Sequence, residues 1–264
     1  MLKEMTRSDW LEMLGIPEAR IPDAVILRGT RNLRRQRDIH AERFDDVLDI
    51  GSPNGLFEDI FLARHRGLNI AYASVYGDSM ASEITHLFGV LGARLVIQTG
   101  CCGGLQLGVQ TGDLIIPSKA IPGEGAAQYY LRENQKPRAS AELIRPAASL
   151  VRSCWPYHTG EIYTTSALLA EGRAELEAWQ DAGYAAVDME TATTFAVAQY
   201  FNMARVAVLF VFDNPLFGDT LVDTDDERAA RRTRGEDAMR DVVTRLLDQL
   251  DQDGIPSAPI APTP

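Results

Sequence analysis

The sequence predicts an α/β fold, a single domain in which a mixed β-sheet is covered by helices on both faces. Three observations predict it. Val206-Ala207-Val208-Leu209-Phe210-Val211-Phe212 is an unbroken apolar run, as strands buried on both faces require. From Arg94 onward, strand-like and helix-like segments alternate. Before Arg94 the strand patterns lie closer together, as in hairpins.

In chain order, the first twenty residues read as a short amphipathic helix (Trp10, Leu11, Leu14) stopped by Gly15 and Pro17. Asp23 to Leu27 reads as a strand that breaks at Arg28-Gly29-Thr30-Arg31-Asn32. Arg28, Arg31, Arg34, Arg35 and Arg37 crowd this break. They suit either a solvated helix face or an anion site, since guanidinium forks and backbone N–H groups both bind oxyanions. Phe44 to Ile50 and Leu68 to Val75 carry strand patterns, with apolar-rich Leu56 to Ala63 between them. A helix is expected over Ser79 to Leu91. The strand Arg94 to Thr99 then runs into a glycine turn, Gly100-Cys101-Cys102-Gly103-Gly104, where a ligand can approach the backbone closely.

Gly112 to Pro117 is a further strand, followed by a loop with Gly123, Gly125 and Tyr129-Tyr130. Ala139 to Arg152 is expected as a surface helix, Glu161 to Ser166 as a strand and Glu171 to Asp181 as a helix. The short apolar run Tyr184 to Val187 precedes Asp188-Met189-Glu190, and a helical pattern then reaches Asn202. The two acids suit a helix cap. They equally suit a ligand site, because the strand Arg205 to Phe212 also ends on an acid, Asp213, and open α/β sheets bind ligands at strand ends. A polar loop, Phe217 to Asp226, leads to a long helix ending near Leu250. Residues 1–252 form one domain in this reading, and 253–264 a Pro-rich, disordered tail.

Composition narrows the function. With 45% hydrophobic and 24% charged residues the chain is of ordinary globular make-up. A net charge of -11 argues against nucleic acid and against an anionic membrane, though not against a small anion in a local basic pocket. No apolar run approaches the roughly 20 residues needed to span a bilayer. Met1 to Met5 lacks the basic start and apolar core of a signal peptide. Three cysteines, two of them adjacent, offer neither a disulfide framework nor metal-ligand spacing. The expected location is a reducing cytoplasm. Neither a dinucleotide-binding glycine fingerprint nor a phosphate-loop Gly-Lys-Ser/Thr is present.

Four landmarks in order resemble the nucleoside phosphorylase-I family of purine nucleoside and uridine phosphorylases and related nucleosidases. Val187-Asp188-Met189-Glu190-Thr191-Ala192 is similar to the family's Val-Glu-Met-Glu-Ala-Ala. Gly100 to Gly104 is similar to its Gly-x-Cys-Gly-Gly turn, and Phe212-Asp213 to its strand end. Gly112 to Pro117 with the following glycine and tyrosine loop is similar to one branch. The resemblance spans about Ala24 to Leu250 and implies a partly barrel-like sheet.

It further implies cleavage of a nucleoside N-glycosidic bond by phosphate, with a purine favoured, giving free base and ribose 1-phosphate. Asp213 would be the catalytic acid at N7 of the base. Met189 and Glu190 would hold the ribose, and Tyr163, Thr164 and Phe212 the base. Gly29, Arg31, Gln98, Gly100 and Cys101 would lie at the phosphate. No metal or other cofactor is implied, only phosphate as co-substrate, and the assembly implied is a homo-oligomer, dimer or hexamer.

The sequence departs from the family pattern in several places. Gln98 stands where phosphorylases commonly carry arginine, Cys101 where serine or threonine is frequent, and Gly29-Thr30-Arg31-Asn32-Leu33 where they have Gly-Asp-Pro-x-Arg. Water as the nucleophile is therefore the first alternative, and a non-catalytic nucleoside-binding protein the second. Glu171-Gly172-Arg173 replaces the Gln-x-Arg that reads uracil in uridine phosphorylases, which disfavours a pyrimidine.

Overall fold

A computed structural model describes residues 2–257 apart from 134, 154, 223 and 224. Most of the tail expected to be disordered lies outside the described residues. The first helix, α1 (Arg7–Leu14), is capped by Thr6, which accepts the Asp9 N–H, and is stopped by Gly15 at φ 63°.

Among the described residues nine strands form one sheet: β1 (Ala24–Gly29), β2 (Asp45–Asp49), β3 (Ile60–His65), β4 (Leu68–Val75), β5 (Leu95–Gly104), β6 (Leu114–Gly123), β7 (Tyr157–Thr165), β8 (Ala186–Asp188) and β9 (Ala204–Asp213). Their order is β2-β3-β4-β1-β5-β8-β7-β6-β9, and an additional β5–β9 pairing closes the last five into a barrel. The early strands β2, β3 and β4 form an antiparallel meander, while β1 lies parallel to both β4 and β5. The sheet is thus mixed, as the segment spacing predicts.

Residues from all five barrel strands meet in one cluster that includes Cys102, Ile115, Ile162, Ala186, Leu209 and Val211. This is the barrel interior. Helix α6 (Thr191–Tyr200) joins it through Ala192 and Phe195, and its first eight residues are all buried. Burial on all sides suits a central helix, and burying Phe195 contributes about 2 kcal/mol.

The outer faces carry the other helices. On one, α3 (Gly77–Leu91) and α1 cover β1, β3 and β4. On the other, α4 (Ala141–Arg152) and α7 (Asp226–Asp253) cover β5, β6 and β9. The buried stripe of α7 is Met239, Val242, Val243, Leu246, Leu247 and Leu250, an i, i+3, i+4, i+7 spacing. Near its start Gly235 packs on Gly112, whose carbonyl would lie 2.3 Å from a Cβ at 235. The two remaining helices are α2 (Leu33–Ala41) and α5 (Arg173–Asp181).

Two elements differ from the sequence expectation. Gly100 to Gly104 is the end of β5 rather than a turn. Its backbone groups pair with Leu209, Phe210 and Val211 of β9 and then with Val187 and Ala186 of β8, so chain reversal is unnecessary. The glycines instead permit a bulge between Cys102 and Gly103 and a close approach to Val109 and Asn214. Secondly, Ile60–His65 is a full strand where the sequence shows only an apolar-rich connector, because β4 supplies an antiparallel partner along its whole length.

Candidate active site

Strand β5 lies in the middle of the sheet, yet Cys101 on it is exposed. An exposed residue in a central strand marks a recess opening onto it. Desolvation raises the Cys101 thiol to about 11, and the charges of Arg28, Glu190 and Asp213 all reach it. The two acids singled out from separate segments therefore face the same strand.

Glu190 follows β8 and precedes α6, and is 5% exposed. Its Oε1 accepts the Gly77 N–H at 2.8 Å, and Oε2 lies over Gly29. Burial, together with the negative charge of Asp188, raises the Glu190 carboxyl well above the usual range. Asp188 is equally buried but has more donors, namely Thr164 Oγ1 at 2.7 Å, the Thr191 N–H at 2.9 Å and the Thr191 hydroxyl. The helix-cap reading thus applies to Asp188, and Glu190 is left turned toward β1 and α3.

Asp213 ends β9 opposite Gly103 and is 6% exposed. Burial and Asp219 push it up to about 6, against the pull of Arg232 and a hydrogen bond from the Leu221 N–H. Glu190 lies over Gly29, which pairs with Gly100, and an Asp213 oxygen lies 3.5 Å from where a Cβ on Gly103 would be, so the two acids stand three positions apart along β5.

Met189 is half-buried on the bend between the acids of the β8–α6 connection. Tyr163 is half-buried, stacked on Trp179 (4.5 Å between centroids) and on Tyr184 (5.8 Å), with its hydroxyl against Gly123. The ring is level with Val187 in the β7–β8 register. Two expected base contacts are placed elsewhere. Thr164 is wholly enclosed, its hydroxyl spent between Asp188 and the Ala192 N–H. Phe212 packs toward α7 under the Arg232 guanidinium, 4.1 Å from its ring centroid, because it alternates with Asp213 along the strand.

The expected phosphate residues divide similarly. Gly29 and Gly100 face each other in the β1–β5 register beside Glu190. Gln98 is fully buried, accepting from Thr194 Oγ1 at 2.7 Å and donating to the Thr99 carbonyl, so neither end of its amide is free. Arg31 is exposed, with its guanidinium over the Tyr76 ring next to Gly77, and it makes no ion pair among the described residues. The other arginines of the cluster are largely committed: Arg28 to Glu236 at 2.7 Å, Arg34 to Glu58 and Asp59, and Arg37 to Asp38 and Asp49. Most of the cluster is therefore an ion-paired face of α2 and the end of β1.

Glu171 was not singled out as a site residue from the sequence. Burial, and then the charge of Asp213, raise its carboxyl to about 7. The only signal in the sequence was its position in the segment that reads the base in uridine phosphorylases. Concavities elsewhere, such as the one bounded by Asp113, Trp155, His158 and Arg231, contain none of these acids. Among the described residues no group of three or more His, Cys, Asp and Glu side chains is placed to hold a metal ion, and no helix is long and apolar enough to cross a membrane.

Comparison with known proteins agrees with this architecture. The chain is 26% identical over 243 residues to a DeoD-type purine nucleoside phosphorylase of Clostridium beijerinckii, covering 88% of this chain and 98% of that protein. It is 30% identical over 171 residues to a uridine phosphorylase of Thermococcus kodakarensis, covering 57% of this chain and 60% of the other. The crystal structure of uridine phosphorylase from Vibrio fischeri superposes with a TM-score of 0.77 at 18% identity, over 94% of this chain and 99% of that one, and so shares its fold. The family model described as the phosphorylase superfamily matches residues 56–248, a span that holds β5, Glu190 and Asp213. With most of the chain matched and the barrel and its acid-lined recess in place, this protein belongs to the phosphorylase superfamily.

Proposed function

We propose that this protein cleaves the N-glycosidic bond of purine nucleosides with phosphate, releasing the free base and a pentose 1-phosphate. The observation that carries the proposal is the convergence of two buried acids, Glu190 and Asp213, on one recess at Cys101. Bond cleavage leaves positive charge on the sugar and negative charge on the departing base. Asp213, raised to about 6, keeps a fraction of its proton near neutrality and donates it to N7 of the base. Glu190 hydrogen-bonds the ribose hydroxyls and, in its ionised form, stabilises the cationic sugar. Met189 packs under the sugar, and Tyr163, held by Trp179 and Tyr184, lies against the base. Phosphate enters beside Gly29 and Gly100, with Arg31 as the available cation. The reaction as read here uses no cofactor.

The relatives named as purine nucleoside phosphorylases support the purine reading. So does Arg173, whose guanidinium is engaged by Glu177 at 2.8 Å on the surface. A second reading, with water as the nucleophile, is favoured by the engaged amide of Gln98 and by the thiol at Cys101, a poorer phosphate donor than a hydroxyl. The deciding experiment is a nucleoside panel assayed with and without phosphate, following both base and sugar. Phosphorolysis requires phosphate and yields pentose 1-phosphate. Free pentose at a rate indifferent to phosphate would establish the hydrolase instead.

A further inference from the structure

Arg28 is the last side chain of β1 before Gly29, and it is 3% exposed. It pairs with Thr99 in the β1–β5 register, so Cys101, two residues further along β5, lies on the same face of the sheet. Three contacts fix the guanidinium. Nη1 donates to the Gly29 carbonyl at 3.1 Å, and Nη2 donates to Glu236 of α7 at 2.7 Å. The group also lies 5.5 Å from the ring centroid of Phe210, the register partner of Cys101 on β9. The Gly29 carbonyl in turn lies 3.2 Å from where a Cβ on Gly100 would be. One carbonyl therefore separates this cation from the Gly29–Gly100 pair, and its charge reaches both Cys101 and Glu190. Glu236 is shared: it accepts Gln36 Nε2 at 3.0 Å and pairs with Arg240 at 2.9 Å, while Arg240 also holds the exposed Asp237. Within this cluster the Arg28 end faces Gly29 and the acidic end lies on α7.

We infer that Arg28 is a positioning residue for phosphate: anchored by Glu236, it pins the Gly29 carbonyl and turns the positive end of a buried ion pair toward the Gly29–Gly100 end of the recess. This rests on the phosphorolysis reading above. Gln98 brings no charge to that end, and Arg31 meets it from the exposed side. A backbone carbonyl standing beside an incoming phosphate repels it, and a carbonyl already engaged by a guanidinium repels it less. Arg28 is enclosed, so it acts through the Gly29 peptide and through its charge rather than by touching the anion. A buried charge is screened far less than an exposed one, which keeps the effect large at physiological salt. Glu236 then has a second, opposing influence. Its carboxylate holds Arg28 in place and also offsets part of the positive charge that phosphate would meet.

The test is the sign of the change in KM for phosphate in two variants, with KM for the nucleoside as the internal reference. Arg28→Met removes the cation, and phosphate KM is expected to rise about tenfold while nucleoside KM stays within about twofold. Glu236→Gln keeps the shape and an acceptor for Arg28 but removes the offsetting charge, and phosphate KM is expected to fall about threefold. A clamp that merely joined β1 to α7 would loosen in both variants, so a phosphate KM raised in both, or moved in neither, overturns the assignment. If Arg28→Met does not fold, Glu236→Gln decides alone: a lowered phosphate KM upholds the role, and a raised or unchanged one overturns it. If the wild type releases no base with phosphate, the phosphorolysis reading fails on its own. Arg28 is then judged by the rate at which iodoacetamide alkylates Cys101, read by peptide mass spectrometry between about pH 8 and pH 10, since a nearby cation favours the thiolate. Slower alkylation in Arg28→Met and faster in Glu236→Gln upholds the charge at that position. A change in the same direction in both, or in neither, overturns it.

Discussion

Gly29 and Glu190, 161 positions apart, lie so close that a methyl group on Gly29 would sit 2.6 Å from Glu190 Oε2. The backbone of Gly29 is not in the left-handed region, so side-chain absence is required there by this contact alone. Gly29→Ala is therefore expected to displace the carboxylate without straining the chain. Steady-state kinetics should show kcat/KM for the nucleoside reduced about 100-fold or more, as for a ~1 Å misplacement of a reacting group. Unchanged kinetics would remove Glu190 from the site.

Removing the proton from Asp213 without changing its shape separates chemistry from binding. Asp213→Asn should lower kcat by about 10²- to 10⁴-fold on a purine nucleoside, with KM little changed. The rate of the wild type should fall as pH rises past about 6, where Asp213 loses its proton.

The same shift links Asp213 to stability. Its folded value, about 6, lies above the unfolded value of 3.8, so between these the native state holds a proton that the unfolded state has lost. Stability then falls as pH rises through that window, by roughly 2–3 kcal/mol in full. Asp213→Asn should melt higher than the wild type at pH 8, with the gap closing toward pH 4. An identical pH profile of melting temperature in the two proteins would contradict this.

Thr164 bridges Asp188 and the first turn of α6 through one hydroxyl. Thr164→Val keeps the shape and leaves a buried carboxylate oxygen and a buried N–H each short of a partner. Urea unfolding should report a loss of about 1–3 kcal/mol. Since Glu190 stands on the same short connection, activity should fall as well.

The contact between the β5–β6 connection and α7 is tested by a pair of glycines. Gly112 has φ 84° and no room, a Cβ there lying 2.4 Å from the Arg231 carbonyl, whereas Gly108 has φ 92° with open space around it. Gly108→Ala should cost about 1–2 kcal/mol from backbone strain alone. Gly112→Ala should cost about 4 kcal/mol or more, since the helix must also move. Equal losses by denaturant titration would show that the two elements are not tightly apposed.

Much of the site was legible because a buried strand that ends on an acid is conspicuous in a linear pattern. Asp188 and Asp213 stood out in this way, and Glu190 through its place in the motif that resembles the family's Val-Glu-Met-Glu-Ala-Ala. Thr164, Phe212 and Gln98 were less legible. Which way a side chain faces at the end of a barrel strand depends on register and on bulges set by partner strands.

By itself, the order of apolar runs, acids and glycines determined an α/β chain with a mixed sheet and two acid-tipped strand ends, since local periodicity and burial are written into neighbouring residues. Only the tertiary structure decided that β5 continues through Gly104 and bonds to β9 and β8, closing a barrel. That closure brings the two acids to one recess and turns Gln98 and Thr164 inward. Hydrogen bonding between distant strands fixes such facings, and the partner of each strand is not encoded in its own residues.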